Sequence, residues 1–235
     1  MEPSHAKDHE NRSVRRVSWR RPVAAFLIAS LPAIILAATT PTWADSQDTA
    51  MEQCFGKDRG QRIEACTALL EQPISQSEKA LAYAMRALAY SVKGQYQRAL
   101  PDYDRAIELR TDFAIALNNR AWAHYKLGNI AEGFKDVERS LKLSPGSAHA
   151  LDTRAHLKQS EGNAAGAVKD YRRAMVFGGS RMVRMYQCGL QTAGYFQGPL
   201  SGIVTPQLIA ALETCAKLKS CDPLPPDEEC RRLTS

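Results

Sequence analysis

From Ala80 onward, apolar and polar positions alternate with the period of an amphipathic helix, and the same alternation returns at a fixed interval. "AMRALAYSVKGQ", "NNRAWAHYKLGN" and "DTRAHLKQSEGN" stand 34 residues apart, each running from a small-residue helix face into a glycine. With registers started at Ala80, Ala114 and Ala148, no gap is needed. Gly94, Gly128 and Gly162 share one column; Ala87, Ala121 and Ala155 share another; Ala99, Gly133 and Ala167 share a third. Ala106, Ser140 and Ala174 make a further small column, with Leu109, Leu143 and Phe177 as the large apolar residues near each end. Each unit reads as helix, turn, helix, the glycine marking the turn. Arg86, Arg120 and Arg154 on the first helices stand sixteen residues before Asp102, Asp136 and Asp170 on the second. That offset places the two side chains level across a helical hairpin, so three structural ion pairs are expected, with an anion-binding arginine row as the alternative.

The period and columns resemble the tetratricopeptide repeat family, which Ala114 to Ser147 matches best through its Leu143-Ser144-Pro145 exit. Gly133 departs from the usual alanine, and Thr111 and Gly179 stand where a closing proline is usual. The resemblance implies an all-α fold: a right-handed superhelix of helical hairpins with repeats at 80–113, 114–147 and 148–179, followed by a small helical C-terminal module. Upstream, 45–79 carries a degraded form of the pattern and is expected to be a helical cap pinned by Cys54 and Cys66. After Gly178 and Gly179 the pattern changes. Gln187, Leu190, Gly194-Tyr195, Gly198-Pro199, Gly202, Thr205 and Pro206 resemble a peptidoglycan-binding-like segment over 180–216, with Ser201 and Val204 as departures from that family. The tail, 217–235, carries Pro223, Pro225 and Pro226 and is expected to be irregular.

At 44% hydrophobic and 24% charged residues the composition is that of a globular chain, which excludes disorder throughout. Residues 1–44 read as an export signal: Arg12, Arg15, Arg16, Arg20 and Arg21, then an apolar run from Pro22 to Ala38, then Thr42-Trp43-Ala44 before Asp45. A periplasmic or secreted protein is expected after cleavage near Ala44, the alternative being an uncleaved inner-membrane anchor, the one route by which a membrane would be a partner. Without the leader, 25 lysines and arginines face 22 acidic residues, so the basicity is mostly the leader's and no nucleic-acid footprint remains. All six cysteines, Cys54, Cys66, Cys188, Cys215, Cys221 and Cys230, lie beyond it, as disulfides do in an exported chain. Of the fifteen possible connectivities, proximity along the chain suggests Cys54 with Cys66, Cys188 with Cys215, and Cys221 with Cys230, and only the first of these is relied on for the expected cap.

On the repeat family's pattern, the residues that vary line the concave face, where repeat proteins usually bind. They are Leu81, Ala84, Leu88, Ser91 and Val92; then Ile115, Asn118, Trp122, Tyr125 and Lys126; then His149, Asp152, His156, Gln159 and Ser160. Asn118, Trp122, Tyr125 and Lys126 recur at helical spacing and offer an amide, two aromatic platforms and a cation to an extended peptide or sugar. Packing of Trp122 against the neighbouring hairpin is the other reading. His149, Asp152 and His156 share a stripe that is expected to be solvated, not metal-binding, because a fourth ligand is missing. No nucleophile elbow, zinc-protease motif, Walker loop or dinucleotide fingerprint occurs beyond the leader. The expectation is a non-catalytic scaffold without cofactor whose groove holds a protein or peptide segment; the alternative is a peptidoglycan binder acting through the C-terminal module.

Overall fold

The computed structural model describes residues 42–56, 60–224 and 230. The leader up to residue 41 and most of the tail beyond 224 lie outside the described residues. Every regular element among the described residues is a helix: α1 (Thr42–Phe55), α2 (Arg62–Leu70), α3 (Gln76–Val92), α4 (Tyr96–Leu109), α5 (Ala114–Lys126), α6 (Ile130–Leu143), α7 (Ala148–Ser160), α8 (Ala164–Thr192) and α9 (Pro206–Ala216). None of the described helices is long and apolar enough to cross a membrane.

Three hairpins, α3 with α4, α5 with α6, and α7 with the first half of α8, stack in chain order. Between the helices of each pair, Gly94, Gly128 and Gly162 take φ of 71°, 78° and 82°, a left-handed conformation that glycine adopts without a Cβ clash. Close approach follows from the small columns. Ala87, Ala121 and Ala155 have no exposed surface, nor do Ala99, Ala106, Ala167 and Ala174. At Gly133 a Cβ would stand 2.8 Å from Leu157 Cδ2 and 3.3 Å from the Ala121 carbonyl oxygen, so the missing methyl makes room for the next hairpin. A glycine inside a helix costs about 1 kcal/mol against alanine. Close packing of Leu157, itself fully buried, is what that cost secures here.

Each hairpin is clamped by its arginine. Arg86 Nε and Nη2 donate to Asp102 at 2.7 Å each. Arg120 donates to Asp136 at 2.6 and 2.7 Å, and Arg154 to Asp170 at 2.7 Å twice. The third nitrogen, Nη1, donates elsewhere. Nη1 of Arg120 reaches back to Asp104 of the preceding hairpin at 2.6 Å, Nη1 of Arg154 to Glu138 at 3.0 Å, and Nη1 of Arg86 to Thr67 of α2 at 2.9 Å. One planar guanidinium thus joins its own hairpin to the one before it, which a lysine's point charge cannot reproduce. The aspartates are buried and the arginines nearly so, unlike the exposed pairs usually worth under about 1 kcal/mol.

At the N-terminal end, Cys54 and Cys66 form a disulfide between α1 and α2 with Cα atoms 4.7 Å apart. With Leu69, Ile74 and Ala82 they form a small core that covers the outer side of α3. α3 itself opens on a capping box: Ser75 Oγ accepts from Glu78 N, and the Glu78 carboxylate accepts from Ser75 N.

The other two cysteine pairs differ from those expected from proximity. Cys215 pairs with Cys221, and Cys188 with Cys230. The reason is that the chain turns back directly after α9, bringing Cys221 within 5.3 Å of Cys215 by Cα. Cys188, in the second half of α8, then takes the more distant partner.

Loss of one clamp is expected to be costly. Arg120→Ala leaves the Asp136 carboxylate buried without its bidentate donor and should lower unfolding stability by about 3 kcal/mol, read in urea unfolding monitored by helicity. The acid limb should involve Asp170. Burial opposes its ionisation, but hydrogen bonds from Arg154 and Lys158 prevail and hold its carboxyl below the ordinary carboxylate range. Its contribution is therefore present above about pH 4 and lost as the pH falls towards the lowered folded value. Asp170→Asn should flatten that part of the stability-against-pH curve.

Candidate functional site

The side chains facing the hollow of the stack come from α3, α5 and α7, and the three helices do not present it alike. On α3, Leu81 and Leu88 are half-buried, Ala84 and Ser91 are buried, and Val92 is 62% exposed. On α5, Ile115 is 68% exposed, Lys126 is exposed, Trp122 and Tyr125 are half-buried and Asn118 is buried.

Trp122 is held in place from several sides. Its ring centroid lies 5.2 Å from that of Tyr125 and 5.2 Å from that of His156, and Lys126 Nζ lies 5.4 Å from the indole. On α4, burial raises the Tyr96 hydroxyl pKa, against an opposing pull from Trp122. Packing against the neighbouring hairpins and a half-open ring face therefore coexist. Asn118, one turn before, has only a long contact of its Nδ2 to Asn119 at 3.5 Å, and its Oδ1 is buried without a hydrogen-bond partner. Such an amide carries unspent hydrogen-bonding capacity beside an aromatic platform.

The third stripe departs from the expectation of a solvated polar wall. Only His149 is exposed; Asp152, His156 and Gln159 are buried, because the chain's own C-terminal part lies on them. α8 is broken at Gly179, with φ 65° and ψ −164°, and its second half turns onto α7. At Gly178 a Cβ would stand 2.5 Å from Met182 Cβ and 3.3 Å from Ala148 Cβ, so the break packs too tightly for any side chain. Tyr186, from that second half, donates to Asp152 Oδ1. After α9 the segment 217–224 returns along α7. Gln159 Nε2 donates to the carbonyls of Leu218 at 2.6 Å and Cys221 at 2.7 Å, with that of Cys215 at 3.5 Å. Asp222 Oδ1 comes within 3.5 Å of His156 Nε2. Among the described residues no group of three or more His, Cys, Asp or Glu side chains forms a metal cage.

Within the C-terminal module, the residues that carry the peptidoglycan-binding-like resemblance serve its own fold. Gln187, fully buried, accepts from Gly202 N at 2.9 Å and donates to Ser201 Oγ and Ile203 O. Thr205 caps α9 by accepting from Leu208 N, with Pro206 as the first helical residue. Leu190 and Leu208 lie in the main core.

Comparison with known proteins agrees with this geometry. Tetratricopeptide repeat family models match residues 80–113 and 114–147, so this part of the chain consists of tetratricopeptide repeats. The hairpin that follows, α7 with the first half of α8, repeats the same clamp and the same turn glycine. Among solved structures, one described as "MamA RS-1 ArsTM double mutant" aligns with a TM-score of 0.51 at 12% identity, over 80% of this chain and 96% of that one. "Crystal structure of MamA" aligns at 0.48 and "Crystal structure of MamA protein" at 0.47, both at 20% identity over 58% of this chain and covering 82% and 76% of theirs. At 12% identity the first of these speaks to the fold alone. No curated protein shows significant similarity.

The grip of Gln159 on three carbonyls should be what holds the returning segment. In Gln159→Ala those carbonyls lose their donor, and trypsin should cut after the exposed Lys217 and Lys219 about tenfold faster, with the rest of the stack uncut.

Proposed function

We propose that the protein is an exported, non-catalytic scaffold that receives an extended segment of a partner protein on the open part of its concave face, between α3 and α5. The carrying observation is a contrast between equivalent stripes. The α7 stripe is covered by the chain's own residues, whereas at the equivalent positions of α5 Ile115 and Lys126 are exposed and Trp122 is half-buried, with the buried Asn118 amide beneath them. Trp122 and Ile115 supply apolar area, Lys126 a cation above the indole, and Asn118 an unspent amide suited to main-chain groups. A partner meeting them gains burial of Val92 and Ile115, two of the large apolar side chains exposed on the molecule.

Export is supported by the cysteines: all six are joined in three disulfides, which persist in an oxidising compartment. A partner in the same compartment follows. Tetratricopeptide repeats serve as protein-binding scaffolds, in keeping with this assignment.

Selection from a displayed random-peptide library against the mature chain tests the reading. Selected peptides should lose at least about tenfold in affinity on Trp122→Ala and on Ile115→Glu, with helicity unchanged. Peptides that bind both variants like the parent would overturn it. So would retention on purified peptidoglycan sacculi that survives both substitutions while no peptide is selected, the result favouring the cell wall as ligand.

A further inference from the structure

The contact between α7 and the segment 217–224 surrounds an imidazole whose neighbours fix where its hydrogen sits. Gln159 spends its Nε2 hydrogens on the carbonyls of Leu218 and Cys221. Its Oε1 is then an acceptor, filled by the Tyr171 hydroxyl at 2.7 Å. A hydroxyl has one hydrogen to give, so the Tyr171 oxygen meets His156 Nδ1, 3.1 Å away, as an acceptor. Nδ1 therefore carries a hydrogen, and in a neutral ring Nε2 is a bare lone pair. That atom is buried and has no hydrogen-bond partner. It lies 3.5 Å from Asp222 Oδ1 and 3.7 Å from Asp152 Oδ2. A lone pair held against two carboxylates, on a side chain only 1% exposed, is repulsive on both sides.

We propose that His156, Asp152 and Asp222 share one trapped proton while segment 217–224 lies on α7, so that docking of the segment takes up a proton and loosens as the pH rises. A hydrogen on Nε2 gives an imidazolium between two carboxylates; a hydrogen on Asp152 Oδ2 gives a carboxyl donating to Nε2. Both are forms of one protonated cluster, which titrates as a unit. The surroundings favour holding it. The imidazole lies among the rings of Trp122, Tyr171 and Tyr125 at 5.2, 5.3 and 5.5 Å between centroids, which shut water out of the cluster. Burial raises the Asp152 carboxyl above its ordinary range, against the pull of His156 and Tyr186.

The other titratable groups facing the cluster are His149 on α7, Tyr125 on α5, and Tyr171 and Tyr186 on α8. Burial pushes all three tyrosine hydroxyls upward, so they remain protonated through the neutral range. The Lys126 ammonium lies close to the Tyr125 ring. With the segment lifted, a water-exposed imidazole titrates near 6.5 and the carboxylates near 4. Above about pH 6.5 the docked form then binds one proton more than the lifted form, so docking weakens by up to about tenfold per pH unit. Below that, the lifted imidazole is protonated too and the dependence flattens. Lifting exposes His156 and Gln159 beside Trp122 and lengthens the open face. The latch holds whether or not a partner binds α5.

Hydrogen exchange of the mature, disulfide-intact chain tests this on two amides of the segment: Cys221 N donates to the Leu218 carbonyl, and Leu218 N to the Cys215 carbonyl at the end of α9. After correction for intrinsic rates, their protection should fall by several-fold per unit between about pH 7 and 9. Asp152→Asn supplies a permanent hydrogen: Nδ2 donates to His156 Nε2 while Oδ1 still accepts from Tyr186. Protection there should persist and lose its pH dependence. Wild-type protection that is flat across this range, or an Asp152→Asn slope equal to the parent's, overturns the proposal. Imidazole nitrogen shifts of His156 in the parent chain give a reading that needs no variant: a neutral ring with a bare Nε2 at pH 7.5 also overturns it. So does protection that appears only with added zinc ion and vanishes with chelator, since a metal would then fill the proton's place.

Discussion

Sharing one guanidinium between two hairpins is the interaction on which the stack depends. Hydrophobic burial is non-directional, and columns of alanine permit many sliding offsets between smooth helices. A planar fork with fixed donors does not. Arg120 must find Asp136 across its own hairpin and Asp104 on the previous one at once, and both are satisfied in only one register. Arg154 repeats the geometry with Asp170 and Glu138, and Arg86 meets Asp102 and, where the repeat gives way to the cap, Thr67. Substituting a hydroxyl for a carboxylate at that point lets a shorter, disulfide-held cap continue the same contact.

Much of this was legible in the sequence because it is local and periodic. The 34-residue interval placed the turn glycines, the small columns and the arginines with aspartates sixteen residues on, and each is a property of one hairpin. The link from each arginine to the previous hairpin was missed, although Asp104 and Glu138 fill equivalent columns with acids and Arg172 stands in the third. A search for charges repeating with the period, extended sixteen residues upstream as well as downstream, would have found it. Gly133, a departure from the family pattern by sequence, is explained only by Leu157 from the next helix filling the space of its absent methyl.

The fate of α7 was not legible, for a physical reason. Asp152, His156 and Gln159 are polar residues at groove positions, and polarity at such positions ordinarily means water. Their partners lie from about thirty to seventy residues further on, at Tyr186, Cys215, Leu218, Cys221 and Asp222, in a segment with no periodicity to announce its path. Proximity along the chain failed for the cysteines in the same way. The turn after α9 is tight enough for Cys215 to meet Cys221, which hands Cys188 to Cys230 and fastens the tail to α8.

A solenoid must end, and the two ends of this one are treated differently. The N-terminal end is closed by apolar packing around a disulfide, in which Cys54, Leu69 and Ile74 cover α3. The C-terminal end is closed twice. Apolar residues of α8 and α9, among them Met182, Val183, Leu190 and Leu212, continue the main core as a capping repeat would. The part that reaches into the hollow, however, is held by hydrogen bonds to carbonyls and by charged groups round an imidazole. An apolar grip would hold with nearly the same strength at any pH, because its strength follows buried area alone. A polar grip in a buried site is strong only while every member has a partner, and one proton decides that for His156. Disulfides brace both ends, but only the end that bears on the concave face has a closure that depends on solution conditions.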